Sequence, residues 1–237
     1  MSLAWDYRNR ITAEQQRAAA MDAARRGDAV TAAKAAHNSR FELLLTAIKT
    51  ECDRISAFPR GEARLEPKRE AIKTYLPEIN QYINDGRVFE NTALTQVMIW
   101  CFDVGDIENA MRLARVAIEQ KQPLPERFNR NIKTGVCDFL YDWCRLRQAG
   151  KKTLEPYFSE VYSQLFPASG VGWQVCDEIR LKYVKMKITE TGDPREALTL
   201  CELAERIDPV NAKVKTRKEK LLKEIAILDE KAKYGAR

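Results

Sequence analysis

Residues 94–117, Leu94-Thr95-Gln96-Val97-Met98-Ile99-Trp100-Cys101-Phe102-Asp103-Val104-Gly105-Asp106-Ile107-Glu108-Asn109-Ala110-Met111-Arg112-Leu113-Ala114-Arg115-Val116-Ala117, decide the fold. Shifted by 87 positions they fall on residues 181–204 without a gap, and seven of 24 columns are identical. The matches are Leu94/Leu181, Val97/Val184, Gly105/Gly192, Asp106/Asp193, Ala110/Ala197, Leu113/Leu200 and Ala117/Ala204. Each copy reads as a helix ending at a glycine able to take positive φ, then an Asp that caps a second helix. The small alanines let the two helices approach closely. Gly192-Asp193-Pro194-Arg195-Glu196-Ala197-Leu198, running on to Ile207-Asp208-Pro209, is also close to the second half of a tetratricopeptide repeat. A weaker third echo starts at Gly27-Asp28 with Ala32. A spacing of 87 rather than roughly 34 does not support a regular tandem array. The expected fold is all-α, an irregular stack of helical hairpins with tetratricopeptide-like elements.

Outward from this pair the chain continues in helices. Thr12 can cap an Ala-rich helix reaching about Arg26, where Gly27-Asp28 interrupts it. Phe41, Leu44, Leu45, Ile48, Cys52 and Ile55 form a stripe at helical spacing, and Pro59-Arg60-Gly61 ends that helix. Further helices are expected over 68–84, 90–103, 106–121, 130–149, 154–166, 172–190, 194–206 and 210–233. Pro77 inside one of them should kink or split it.

No apolar run approaches the roughly 20 residues of a membrane span, and the start has no apolar signal core. A cytoplasmic protein is the expectation. The cysteines Cys52, Cys101, Cys137, Cys144, Cys176 and Cys201 are scattered without CxxC spacing, and His37 is the only histidine. Buried reduced thiols fit them better than zinc ligation. The net charge of +6 is unevenly placed. Residues 1–40 carry +3, residues 213–237 carry +5, and the centre is left with −2. Basic ends on a nearly neutral body suit a polyanion, although solvated helix faces give the same pattern. The bases of the first segment are Arg8, Arg10, Arg17, Arg25, Arg26, Lys34 and Arg40, the candidate DNA contacts.

Catalytic chemistry leaves little trace. Gly150-Lys151-Lys152-Thr153 imitates the end of a phosphate loop, but Arg145 stands where its first Gly belongs and a helix precedes it. It reads as a helix end and loop, so the chain is not an ATPase motor. Asp138/Asp142 and Asp103/Asp106 are paired at helical spacing, and each pair reads as a cap or a solvated face rather than a Mg²⁺ site. No catalytic residue, metal ligand or cofactor is assigned. Phe139, Trp143 and Leu146, with Leu140 and Cys144, read as core rather than as a stacking platform for bases, as does Trp100 beside Phe102. In the last helix Val214, Leu221, Ile225, Leu228 and Ala232 trace a narrow stripe, with Lys218 at one seam position. Either a short coiled coil or an amphipathic helix packed on its own domain accounts for it. The coiled-coil reading makes Val214, Leu221, Ile225 and Leu228 a candidate oligomer seam.

One stretch resembles a known family. Val97, Met98 and Trp100, then Asp103, Gly105, Asp106, Ala110, Ala114 and Ala117, look like the central signature of phage small terminase subunits of the P-two-like type. Pro125 and Phe128-Asn129-Arg130 are similar to that family's following segment. Val116 departs from it where an aromatic is frequent, and the family's long basic tail is shortened here. The resemblance implies recognition of the cohesive-end site on concatemeric double-stranded phage DNA, in the cytoplasm of the bacterial host. It also implies a large ATPase subunit as partner and a homo-oligomer, ring-like as small terminases generally are. The family carries the label of endonuclease subunit. The organisation expected is a basic N-terminal helical region at 1–58 for DNA, a hairpin domain at 59–208, and a basic helix at 209–237 for self-association or partner contact. The competing reading is a tetratricopeptide-like adaptor that binds protein and never touches DNA.

Overall fold

The computed structural model describes residues 29–86 and 88–234, together with positions 14, 15, 17–19, 21 and 22, and the side chains of its first continuous helix from Arg40 onward. Every regular element among the described residues is helical. In chain order they are α1 (Ala29–Ser56), a 3-10 turn (Glu62–Arg64), α2 (Leu65–Asn84), α3 (Thr92–Val104), α4 (Ile107–Glu119), α5 (Ile132–Ala149), α6 (Tyr157–Leu165), α7 (Asp177–Glu190), α8 (Pro194–Ile207) and α9 (Lys215–Tyr234). The all-α expectation holds. The chain falls into two compact units, Met1–Pro125 and Glu126–Arg237. This partition by packing differs from the segments drawn by charge at 58/59 and 208/209, because terminal basic helices can still bury an apolar edge on their neighbours.

In the first unit α3 is the central helix, in contact with α1, α2 and α4. Its sequence is apolar nearly all round, and every residue from Ala93 to Phe102 is buried. Asn91 caps it by accepting from the Leu94 N–H at 3.0 Å. Gly105 ends it with φ 79°, the left-handed conformation that favours glycine. Asp106 then accepts from the Asn109 N–H at 3.3 Å and starts α4. Ala110, Ala114 and Ala117 are fully buried, which brings the two backbones close. Pro77 lies inside α2 without splitting it. From the α1 stripe Ile48 and Ile55 are buried, while Phe41, Leu44, Leu45 and Cys52 are half-buried.

In the second unit α7 contacts α5 and α8, and α9 lies on α8. Tyr183 is fully buried, donates its hydroxyl to the Cys137 carbonyl at 2.9 Å, and stacks on Phe158 with centroids 5.7 Å apart. Leu181, Val184 and Ile188 of α7 meet Ala197, Leu200, Cys201 and Ala204 of α8 in one apolar cluster. The α7–α8 turn departs from its counterpart. Here Thr191 is extended (φ −70°, ψ 133°), and Gly192 is not in the positive-φ region. Pro194 at the start of α8 is the physical reason, since it holds Asp193 extended (φ −93°, ψ 114°) and fixes a different path. Asp193 still caps α8, accepting from the Arg195 N–H at 2.9 Å.

Candidate nucleic-acid interface

The signature residues turn out to be the interior of the α3–α4 hairpin. Val97, Met98 and Trp100 are buried, and Ala110, Ala114 and Ala117 line the helix contact. Gly105 and Asp106 form the turn. Asp103 faces water, as Gly105 does, and pairs there with Lys68 at 2.7 Å. Such residues hold a scaffold together and leave ligand contact to other positions.

Among the candidate DNA contacts, Arg8, Arg10, Arg25 and Arg26 lie outside the described residues, as do Gly27-Asp28 and the side chain of Lys34. Arg17 is helical and exposed. Arg40 is exposed, but Glu78 takes its guanidinium at 2.7 Å, with Gln81 at 3.4 Å. Its charge is therefore committed within the first unit.

The seam residues divide. Val214 and Leu221 are buried in the cluster formed with α7 and α8. Ile225 is half-buried, and Leu228 is 43% exposed, as Leu222 and Ile227 of the same helix are exposed. Lys218 pairs with Glu205 at 2.7 Å, and Arg195 of α8 pairs with Asp229. The remaining cations among the described residues of this region, Lys213, Lys215, Arg217, Lys220, Lys223, Lys231 and Lys233, all face solvent. They outnumber the exposed acids Glu219, Glu224, Asp229 and Glu230.

On α5 the core falls to Val136, Cys137, Leu140 and Cys144. Phe139 and Trp143 are half-buried and Leu146 is 77% exposed, so the core expectation is corrected for Leu146 and only partly met by the other two. Helical rotation is the reason: they lie beside the row that α6 and α7 cover. A groove of about 460 Å³ opens on the other side of α5. Phe128 meets Phe139 edge-on there, with centroids 5.4 Å apart. Asp138 holds two cations, Arg130 from the preceding segment and Lys182 of α7 at 3.5 Å. Lys182 also reaches Glu178 at 2.7 Å, and that hydrogen bond keeps the Glu178 carboxyl below its usual range. Asp138, Tyr141, Asp142 and Arg145 recur at helical spacing and line this groove, a polar row visible in the sequence once the opposite row is assigned to core. Lys182 has no such local signal, because only the packing of α7 on α5 brings it there.

None of the six cysteines forms a disulfide, with Cys101, Cys137, Cys144 and Cys201 buried, Cys52 half-buried and Cys176 exposed. Burial pushes Cys101, Cys137 and Cys144 up to about 12. Gly150 closes α5, and Lys151 follows at φ 51°, so Gly150-Lys151-Lys152-Thr153 is a helix end and turn. Among the described residues no three His, Cys, Asp or Glu side chains are placed to hold a metal ion, and no helix is long and apolar enough to cross a membrane.

The family model of phage small terminase subunits matches residues 45–171, more than half of the chain. The chain belongs to that family. The match covers α2, the signature hairpin, α5 and α6, and so includes most of the groove lining. Two relatives reach beyond it. The "Terminase, endonuclease subunit" of Escherichia phage P2 is 26% identical over 198 residues, covering 82% of this chain and 78% of the relative. The "Probable terminase, endonuclease subunit" of Haemophilus phage HP1 is 26% identical over 155 residues, covering 65% of this chain. That match spans only about half of the Haemophilus phage protein, 54% of its length. No solved structure matches.

Proposed function

We propose that this family member is the DNA-recognising subunit of a phage packaging machine. It binds double-stranded DNA at the cohesive-end site of concatemers, assembles as a homo-oligomer, and recruits or regulates a large ATPase subunit. Cleavage at the end site is directed by it. The observation that carries the reading is the excess of solvent-facing cations along α9 and the segment before it, on a chain of this family. Together with the basic first 40 residues they supply the phosphate contacts that dominate duplex affinity. Oligomerisation multiplies such contacts along one DNA by raising the effective concentration of each.

Deleting residues 1–40 from otherwise folded protein is expected to weaken duplex binding and to flatten its salt dependence. Unchanged affinity and slope would remove the N-terminal bases from the reading. The purified chain with Mg²⁺ and ATP is expected neither to nick DNA nor to hydrolyse the nucleotide. Nicking that copurifies with the chain through every step would give cleavage to this subunit itself.

A further inference from the structure

The groove on α5 offers a chemistry distinct from the basic ends. Its aromatic walls are Phe128, Phe139 and Tyr141, and its cations are Arg130, Arg145 and Lys182. We propose that it binds unpaired DNA nucleotides, a base stacking on Tyr141 while Arg145 takes a phosphate. The proposal rests on the DNA-binding reading above and adds to it a site for single strands.

Three observations lead to nucleotides. First, the rings are only half-buried although α5 has a fully buried row available, so each keeps some exposed surface. Cations already lie against two of them. The Arg127 guanidinium lies 4.7 Å from the Phe128 centroid, and the Lys182 ammonium 5.9 Å from that of Tyr141. Second, three cations and two carboxylates line the groove, and Lys182 is also held by Glu178 beside it. Asp138 fixes Arg130 and Lys182, whereas Arg145 is 65% exposed and only loosely held, 4.0 Å from Asp142. Arg145 is therefore the cation available to a phosphate, and the exposed Asp142 can accept from an exocyclic amino group. Third, about 460 Å³ suits a small planar ligand and is far too little for a duplex. Stacking rings interleaved with cations are what single strands require.

The test uses the full chain, with fluorescence anisotropy of a labelled oligothymidine of about 12 nucleotides and of a duplex of the same length. Tyr141→Ala and Arg145→Glu are each expected to weaken single-strand binding about tenfold or more, with duplex affinity unchanged. Arg145 is exposed, so Arg145→Glu carries the test alone if Tyr141→Ala fails to fold by circular dichroism. Unchanged single-strand affinity in Arg145→Glu, with duplex binding intact, overturns the groove and leaves the proposed function standing. Equal weakening of both DNA forms also overturns it, since the residue would then serve general duplex contact. If the wild-type chain binds neither DNA, both proposals fall. Loss of large-subunit binding with single-strand affinity intact would assign the groove to a protein partner and overturn the proposal.

Discussion

Lys182 on α7 reaches Asp138 on α5, Nζ to Oδ1 at 3.5 Å, and so ties two helices of the second unit at the groove that the aromatic rings line. Arg130 closes on the same carboxylate. All three side chains are partly exposed, and pairs of this kind contribute about 1 kcal/mol or less. Asp138→Ala should therefore lower unfolding stability by about that amount in low salt. The loss should shrink as salt screens the pairs, which chemical denaturation at two ionic strengths will show. A salt-independent loss would assign Asp138 a packing role instead.

The two hairpin turns predict opposite responses to alanine. Gly105 has φ 79°, so Gly105→Ala should cost about 1–2 kcal/mol through its Cβ in the left-handed region. Gly192 lies outside that region, and a Cβ there meets no atom within 4 Å. Gly192→Ala should be neutral or stabilising, by up to about 1 kcal/mol, because it restricts the unfolded chain. Thermal midpoints of the two variants decide this, and equal destabilisation would contradict it.

These turns also show where sequence reading stops. Seven identical columns located both hairpins and both Asp caps, since helix-ending chemistry is local. The differing backbone at Gly105 and Gly192 follows from Pro194, whose effect on residue 193 is local too and could have been read. The split of the α9 stripe is of another kind. Val214, Leu221, Ile225 and Leu228 look equivalent in sequence, and only the extent of α8 beneath α9 decides which of them is covered. Lys182 likewise enters the groove through packing alone. Arg145 and Tyr141 share a face with Asp138, but nothing local marks that face as open.

The stripe yields its own test. Leu221 is 1% exposed, so Leu221→Ser should destabilise the second unit by about 2–5 kcal/mol, as core truncations do. Leu228 is 43% exposed, and Leu228→Ser should leave helical content intact. If α9 contributes to a homo-oligomer, Leu228→Ser should also lower the mass measured by light scattering. A wild-type chain that stays monomeric at high concentration would rule that contact out.

Thiol chemistry should discriminate sharply among the cysteines. A thiol attacks as its thiolate, and with Cys101, Cys137 and Cys144 pushed up to about 12 almost none is ionised near neutral pH. Raising the pH increases the thiolate fraction, but burial still blocks the reagent until the fold opens. Alkylation of native protein at pH 8 followed by mass spectrometry should label the exposed Cys176 first and the half-buried Cys52 more slowly. Rapid labelling of Cys137 in folded protein would show that its helix contact opens readily.

Recognition of DNA is tested most directly by titrating the full chain with end-site duplex across a salt series. Affinity should fall linearly on a log–log plot, each phosphate contact adding about 0.9 to the slope, so several contacts give a steep line. Absence of binding at low salt, or an affinity that does not change with salt, would contradict the DNA-recognition role and leave a protein-binding adaptor as the better description.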